Sequence, residues 1–193
     1  MINYRDLSRT VSQALRHDPG RYGLIVDAQG WVAVSDLITA LGREHVQWHS
    51  LTEADLKKMI LHSDKMRHEI NGMRIRALYG HSIQRTLERE PSRPPNILFH
   101  GTDTDAAEII LVQGLSPMAR QHVHLSVDKK TAKQVGLRKS SKPVILQIAA
   151  GSAHQHGTRF YKGNDLVWLA DYVPPTFITL LAEKSSPADD MMR

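Results

Sequence analysis

The sequence predicts an α+β protein of two lobes, with three helices and a hairpin followed by a mixed α/β lobe. Three observations carry this. Apolar residues recur at helical spacing three times before residue 62, then give way to two short β-rich runs around Asn71-Gly72. Arg89–Asn96 reads REPSRPPN, and Pro91, Pro94 and Pro95 suit neither a helix interior nor a central strand. Beyond them, short β-rich runs alternate with short helical ones. The expected organisation is a first lobe at 1–90, a Pro-rich linker at 91–96, a second lobe at 97–183 and a frayed tail at 184–193.

In the first lobe, Leu7, Val11, Ala14 and Leu15 mark a helix that Pro19-Gly20 stops. Leu24–Val26 and Trp31–Val34 flank a polar turn, Asp27–Gly30. Ser35 is placed to cap a short helix carrying Leu37, Ile38 and Leu41. Thr52 and Asp55 form a capping-box pattern ahead of Leu56, Met59 and Ile60. His68–Ile70 and Met73–Ala77 then flank Asn71-Gly72, the dipeptide that a type I′ hairpin turn prefers. Three helices followed by a hairpin is the order of a winged helix.

In the second lobe, Ile97–His100 reads as a strand. A helix from about Asp103 is closed by Gly114. His122–Ser126 alternates with Val123 and Leu125 inward, and Lys129–Val135 reads as a helix before Gly136. Val144–Ile148, Leu166–Leu169 and Phe177–Leu181 are three β-rich runs. GxGxxG and GxxxxGK[ST] are both absent, which excludes a Rossmann dinucleotide site and a P-loop.

Composition narrows the function. With 41% hydrophobic and 23% charged residues, the chain is not disordered as a whole. It has no run of about 18 apolar residues, so no membrane span is expected. MINYRDLSRT lacks the apolar core of a signal peptide. The lack of cysteine excludes disulfide scaffolds, thiolate metal clusters and cysteine nucleophiles, and favours a cytoplasmic address. The net charge of +5 suits a polyanionic partner but is spread over both lobes, so a phosphate site must come from individually placed arginines.

Several residues stand out for chemistry, each with a plainer alternative. Arg16-His17 ends the first helix. The pair suits phosphate binding beside a proton donor, or simply offsets the helix dipole. Arg74 and Arg76 share one face of the hairpin strand, suited to a phosphate backbone or to solvent. Gly101, between His100 and Thr102, suits close approach of a ligand or a tight strand-to-helix turn. Arg120 lies in a loop before the strand that carries His124 and Ser126. His122 and His124 lack a third metal ligand at diagnostic spacing, so no metal site is expected.

Taken jointly, LRHDP, Asp27-x-x-Gly30-Trp31, SDKMR, RIRALYGHS, LFHGT, Gly114-Leu115 followed by Val123–Ser126, and VWLA resemble the RNA 2′-phosphotransferase family, the tRNA-splicing type and its bacterial relatives. The resemblance spans about Leu7 to Leu181. It implies a winged-helix RNA-binding lobe joined to an ADP-ribosyltransferase-like NAD lobe. It implies a two-step reaction, in which an internal RNA 2′-phosphate attacks the nicotinamide ribose of NAD⁺ and expels nicotinamide. The ribose hydroxyl then attacks phosphorus, giving 2′-OH RNA and ADP-ribose 1″,2″-cyclic phosphate. The family's catalytic places carry over onto Arg16, His17, Arg67 and Arg120, with Arg74 and Arg76 competing with Arg67 for its role. His100, Gly101, Thr102, His124 and Ser126 are expected to bind NAD⁺, which is consumed, and Arg74, Arg76 and His81 to bind RNA. The expected enzyme is a metal-free, cytoplasmic monomer. The chain departs from the family pattern at Leu78-Tyr79, where a phenol replaces a hydrogen-bonding amide.

Two other functions are compatible with these residues. One is an ADP-ribosyltransferase that modifies nucleic-acid phosphates and stops after the first step. The other is a non-enzymatic winged-helix regulator. The sequence has no glutamate between Glu108 and Glu183. Many protein-modifying ADP-ribosyltransferases use a late-strand glutamate to activate their acceptor, whereas a phosphate is already anionic and needs cationic neighbours instead.

Overall fold

A computed structural model describes residues 2–63 and 65–181. The tail expected at 184–193 lies outside the described residues. The first half contains α1 (Tyr4–Arg16), β1 (Trp31–Ala33), α2 (Val34–Glu44), α3 (Glu53–Leu61), β2 (His68–Asn71) and β3 (Arg74–Ala77). Its three strands form an antiparallel sheet in the order β1-β3-β2. The Asn3 side chain caps α1 by accepting from the amides of Arg5 and Asp6 at 3.1 and 3.3 Å. Leu7, Val11, Ala14 and Leu15 are fully buried, as their spacing requires, and α1 packs on α3 and β3. The Thr52–Asp55 capping box opens α3.

Two local expectations are corrected. Helix α2 begins at Val34, after Ala33, so Ser35 lies in its first turn and caps nothing. The apolar Val34 is buried in the core, and the start of the helix carries no side-chain cap. The hairpin turn is not centred on Asn71-Gly72. Asn71 is paired with Arg74, which makes Gly72 and Met73 the two central residues. Gly72 alone has positive φ, at 57°, the II′ pattern with glycine first. Pairing Ile70 with Ile75 wins over the preference of the dipeptide, because Ile75 is fully buried and a one-residue slip would turn it to solvent.

The second half contains β4 (Leu98–Thr102), α4 (Thr104–Gln113), β5 (Val123–Ser126), α5 (Lys129–Gly136), β6 (Val144–Ile148), α6 (Ala150–Gln155), β7 (Phe160–Lys162), β8 (Val167–Ala170) and β9 (Ile178–Leu180). Its six strands form a second antiparallel sheet, in the order β7-β8-β5-β4-β6-β9. Helix α6 and strand β7 are not legible in the sequence, because AGSAHQ and FYK are too short for a period to register. The molecule is thus mixed α/β, with two antiparallel sheets and six α-helices among the described residues. Each sheet backs its own apolar cluster, one centred on Leu7, Leu41 and Ile75, the other on Leu98, Leu146 and Phe160.

The two halves are tied by polar side chains reaching backbone. The Gln121 amide donates to the carbonyls of Ile83 and Arg85 at 3.1 and 2.6 Å and accepts from the Leu87 amide at 3.2 Å. Asn164 donates to the Met66 carbonyl at 2.7 Å. Strand β4 pairs with β6 over five residues, but its only paired residue toward β5 is Phe99, opposite Ser126. Beyond that pair, the His100 ring meets the His124 carbonyl at 3.0 Å, in place of a ladder bond. The two strands splay there and leave a cleft facing the first half.

Gly101 has a packing reason that its motif did not reveal. A Cβ there would sit 1.9 Å from the Ala132 carbonyl oxygen and 3.1 Å from the Gly136 nitrogen, because α5 lies directly on β4. G101A is therefore expected to lower stability by about 3 kcal/mol or more, beyond ordinary overpacking. Urea unfolding measures this; an unchanged midpoint would show that α5 is free to move off the strand.

Candidate functional site

Arg16 ends α1 and is buried, at 9% exposure. Its Nη2 donates to the Arg67 carbonyl at 3.1 Å, and its guanidinium carbon lies 5.2 Å from the centre of the Tyr79 ring. Gly80, at φ 86°, lies beneath it, and a Cβ there would meet Nη1 at 3.4 Å. The Ser82 amide donates to the Arg16 carbonyl at 3.0 Å. His17 Nδ1 and the Ser82 hydroxyl are 2.8 Å apart, which fixes the imidazole and leaves Nε2 as its second polar atom. Arg67 is held by Ser63, 3.2 Å from its Nη1, and its carbonyl also accepts from the Leu78 amide at 2.9 Å. Arg120 arrives from the second half, next to Gln121, whose amide donates to the His81 carbonyl at 3.2 Å. The segment Leu78–Ser82 thus touches the supports of all four candidate catalytic residues.

Arg16, His17, Arg67 and Arg120 line a cleft of about 510 Å³ together with His100, Gly101, His124 and Ser126. The Arg16 Nε and the His124 Nε2 are both shielded from water, with no hydrogen-bond partner among the described residues. Such orphaned groups are costly unless a ligand satisfies them.

The electrostatics are one-sided. Burial, with Arg67 and Arg120 nearby, pulls the Arg16 pKa down to about 10, so it stays charged at neutral pH. Burial, then Arg16 and Arg120, lowers the His17 pKa and favours the neutral ring. Burial first and Arg120 second push His124 down to about 3. Burial also lowers His100, whose Nδ1–H therefore donates to the His124 carbonyl and leaves Nε2 as an acceptor. A cleft with several guanidinium groups and neutral imidazoles is built for an anion with hydrogen-bonding substituents.

Not every expected site residue is brought here. Arg74 and Arg76 lie on β3 away from the cleft, over the Trp31 ring at 5.3 and 4.4 Å. Arg74 pairs with Asp27 at 3.5 Å and Arg76 with Glu69. His81 is buried, with its pKa pushed down to about 3 chiefly by burial. Thr102 is fully buried behind the cleft. Conversely, Tyr79, Ser82 and Arg138 were missed as site residues. Tyr79 and Arg138 line the cleft, and Ser82 positions His17. The Gly80-His81-Ser82 run held the signal for Ser82, but its meaning depends on a contact 65 residues away in sequence. No group of three or more His, Asp and Glu suited to a metal occurs among the described residues. Nor is any helix among them long and apolar enough to cross a membrane.

The fold and cleft define a two-sheet α/β protein with a cationic site for an anionic ligand. The family model described as RNA 2′-phosphotransferase, Tpt1/KptA family, matches residues 3–172. A protein of Acetivibrio thermocellus named "Probable RNA 2′-phosphotransferase" is 48% identical over 178 residues, covering 92% of this chain and 97% of that relative. Like-named proteins of Bacillus thuringiensis subsp. konkukian and Streptomyces griseus subsp. griseus are 47% and 40% identical, over 92% and 90% of this chain and 95% of each relative. The chain belongs to the RNA 2′-phosphotransferase family.

Three buried histidines near the cleft set an acid limit on stability. His68, His81 and His124 have pKa values pushed down to about 3 by burial, against about 6.5 in an unfolded chain. Between those values the unfolded state binds more protons, so their stabilisation is complete above about pH 6.5 and is lost as pH falls. Each removes up to about 1.4 kcal/mol per pH unit. Thermal unfolding from pH 7.5 down to 5 is expected to show a midpoint that falls ever more steeply below 6.5, and less steeply in H68Q. A flat midpoint would mean that the three rings are hydrated.

Proposed function

We propose that the protein is an NAD⁺-dependent RNA 2′-phosphotransferase, which removes an internal 2′-phosphate from RNA and releases nicotinamide and ADP-ribose 1″,2″-cyclic phosphate. In this reading residues 1–90 form a winged-helix RNA lobe and 97–183 an ADP-ribosyltransferase-like NAD lobe, joined by 91–96. One observation carries it. In a chain of this family, Arg16, His17, Arg67 and Arg120 line a single cleft together with His100, His124 and Ser126. The fit to NAD⁺ rests on the last three, which offer the His100 Nε2 acceptor, the unpartnered His124 Nε2 and the Ser126 hydroxyl to ribose hydroxyls and an amide.

Arg16, Arg67 and Arg120 hold the 2′-phosphate and stabilise the charge that builds as phosphorus is attacked. His17 enters neutral and so can take a proton from the attacking ribose hydroxyl. The bound phosphate favours its charged form, which can then give that proton to the departing RNA 2′-oxygen. Arginines occupy the electrostatic role that Mg²⁺ takes in many phosphoryl-transfer sites. A chelator is expected to leave the rate unchanged; loss restored by one divalent ion would overturn this site assignment.

The deciding experiment is a quench-flow time course with a 2′-phosphorylated oligoribonucleotide and NAD⁺, resolving every product. Nicotinamide and cyclic phosphate are expected in equal amounts. Alanine at one or more of Arg16, His17, Arg67 and Arg120 is expected to slow the second step by roughly 30- to 1000-fold, or about 2–4 kcal/mol, so that the ADP-ribosylated RNA phosphate accumulates. H100A is expected to slow the first step and show no adduct. A stable adduct from the unsubstituted protein would favour an ADP-ribosyltransferase of nucleic-acid phosphates. Sequence-specific duplex binding with no nicotinamide release would favour a regulator.

A further inference from the structure

An internal 2′-phosphate sits on a ribose with RNA continuing on both sides, so the strand must leave the cleft along the protein surface. The hairpin is the surface the sequence suggested, but Arg74 and Arg76 sit over Trp31, paired with Asp27 and Glu69, and line no part of the cleft.

A second groove of about 720 Å³ opens on the other side of Arg67. It shares His17, Lys65, Arg67 and Arg138 with the cleft, so the two are continuous. One wall is the exposed face of α1, where Arg5, Ser8, Arg9, Ser12 and Gln13 follow helical spacing toward His17. From Arg5 to His17 this wall runs about 18 Å at the helical rise. The other wall is the end of α3 and the loop after it, through His62, Ser63 and Lys65. Arg9 stands in an exposed pair with Asp6 at 3.5 Å, the same distance as Arg74 from Asp27, and an exposed pair of this kind is open to exchange for a phosphate. At its far end Tyr4 and His62 are stacked, with centroids 5.4 Å apart and planes within 14°. Cations along a groove with an aromatic face at its mouth are the parts that single-stranded nucleic acid requires.

We propose that the α1–α3 groove, and not the β2–β3 hairpin, carries the single-stranded RNA flanking the reactive nucleotide, with Arg5 and Arg9 on its phosphates. Arg138, which lines both spaces, marks the crossing from groove to cleft. The inference rests on the reading above that the substrate is RNA. It places the recognition of flanking sequence on phosphates, so little dependence on base identity is expected.

The test is fluorescence anisotropy with a fluorescein-labelled single-stranded oligoribonucleotide, on the full chain, at several salt concentrations. R5Q/R9Q removes two charges from the groove with a residue that favours helix, and R74Q/R76Q removes two from the hairpin. R5Q/R9Q is expected to bind about tenfold more weakly at low salt, with the slope of log K against log salt flattened by about 1.4. R74Q/R76Q is expected to keep the slope of the unsubstituted protein. Circular dichroism and the thermal midpoint show that each variant is folded. Equal or greater loss in folded R74Q/R76Q, or no change in R5Q/R9Q, overturns the assignment. Nicotinamide release by the unsubstituted protein is measured separately. RNA bound through the groove without release would sink the transferase reading and leave the groove standing. Release with RNA affinity unaffected by R5Q/R9Q would do the reverse.

Discussion

A guanidinium held out of water at the end of α1 is the constraint around which the rest is arranged. Burying a cation is costly unless its donors are satisfied. Arg16 is only partly satisfied: Nη2 reaches the Arg67 carbonyl, Tyr79 offers its ring, and Nε is left without a partner among the described residues. Its pKa falls to about 10, which still keeps it charged at neutral pH. The cost is borne by the apolar face of α1, whose Leu7, Val11, Ala14 and Leu15 lock the helix end in place. The result is a preorganised charge, fixed before a ligand arrives.

The neighbouring structure follows from keeping that charge in position. Gly80 lets the chain pass close beneath Arg16, and Ser82 binds both the Arg16 backbone and the His17 ring. Tyr79 supplies a π face to the Arg16 guanidinium. The same segment reaches the second half through the Gln121 amide, which sets Arg120. The splay of β4 from β5 then opens the cleft, and the His100–His124 contact keeps that opening from collapsing.

Both halves contribute cations to the cleft, Arg16 and Arg67 from the first and Arg120 and Arg138 from the second, and the second half adds the imidazoles of His100 and His124, which burial keeps neutral. The cleft thus suits a ligand that carries both phosphate and neutral hydrogen-bonding groups. The polar ties between halves, Gln121 to the 83–87 segment and Asn164 to Met66, involve backbone partners and so fix the spacing of the halves.

Much of this was legible in the sequence. Helices α1 and α3 follow from apolar spacing and caps, because those signals act within one or two turns. Strands β5 and β6 follow from alternation and β-branched content. The family followed from the joint order of short motifs, and with it eight of the residues that line the cleft, Arg16, His17, Arg67, Arg120, His100, Gly101, His124 and Ser126. Where a local preference competed with burial, the sequence misled, as at Asn71-Gly72 and Ser35. Gly101, read as an approach for a ligand or as a tight turn, lines the cleft and is also required by α5 against β4. Arg74 and Arg76 looked like free cations, because their partners Asp27 and Glu69 come from other strands and turns. By itself the sequence determined the periodic elements, the two-part organisation of apolar residues and the kinds of group available for chemistry. Only the tertiary structure decided which cations are neutralised and which are left facing a cleft, since charge pairing and desolvation depend on distances across the chain that no local pattern encodes.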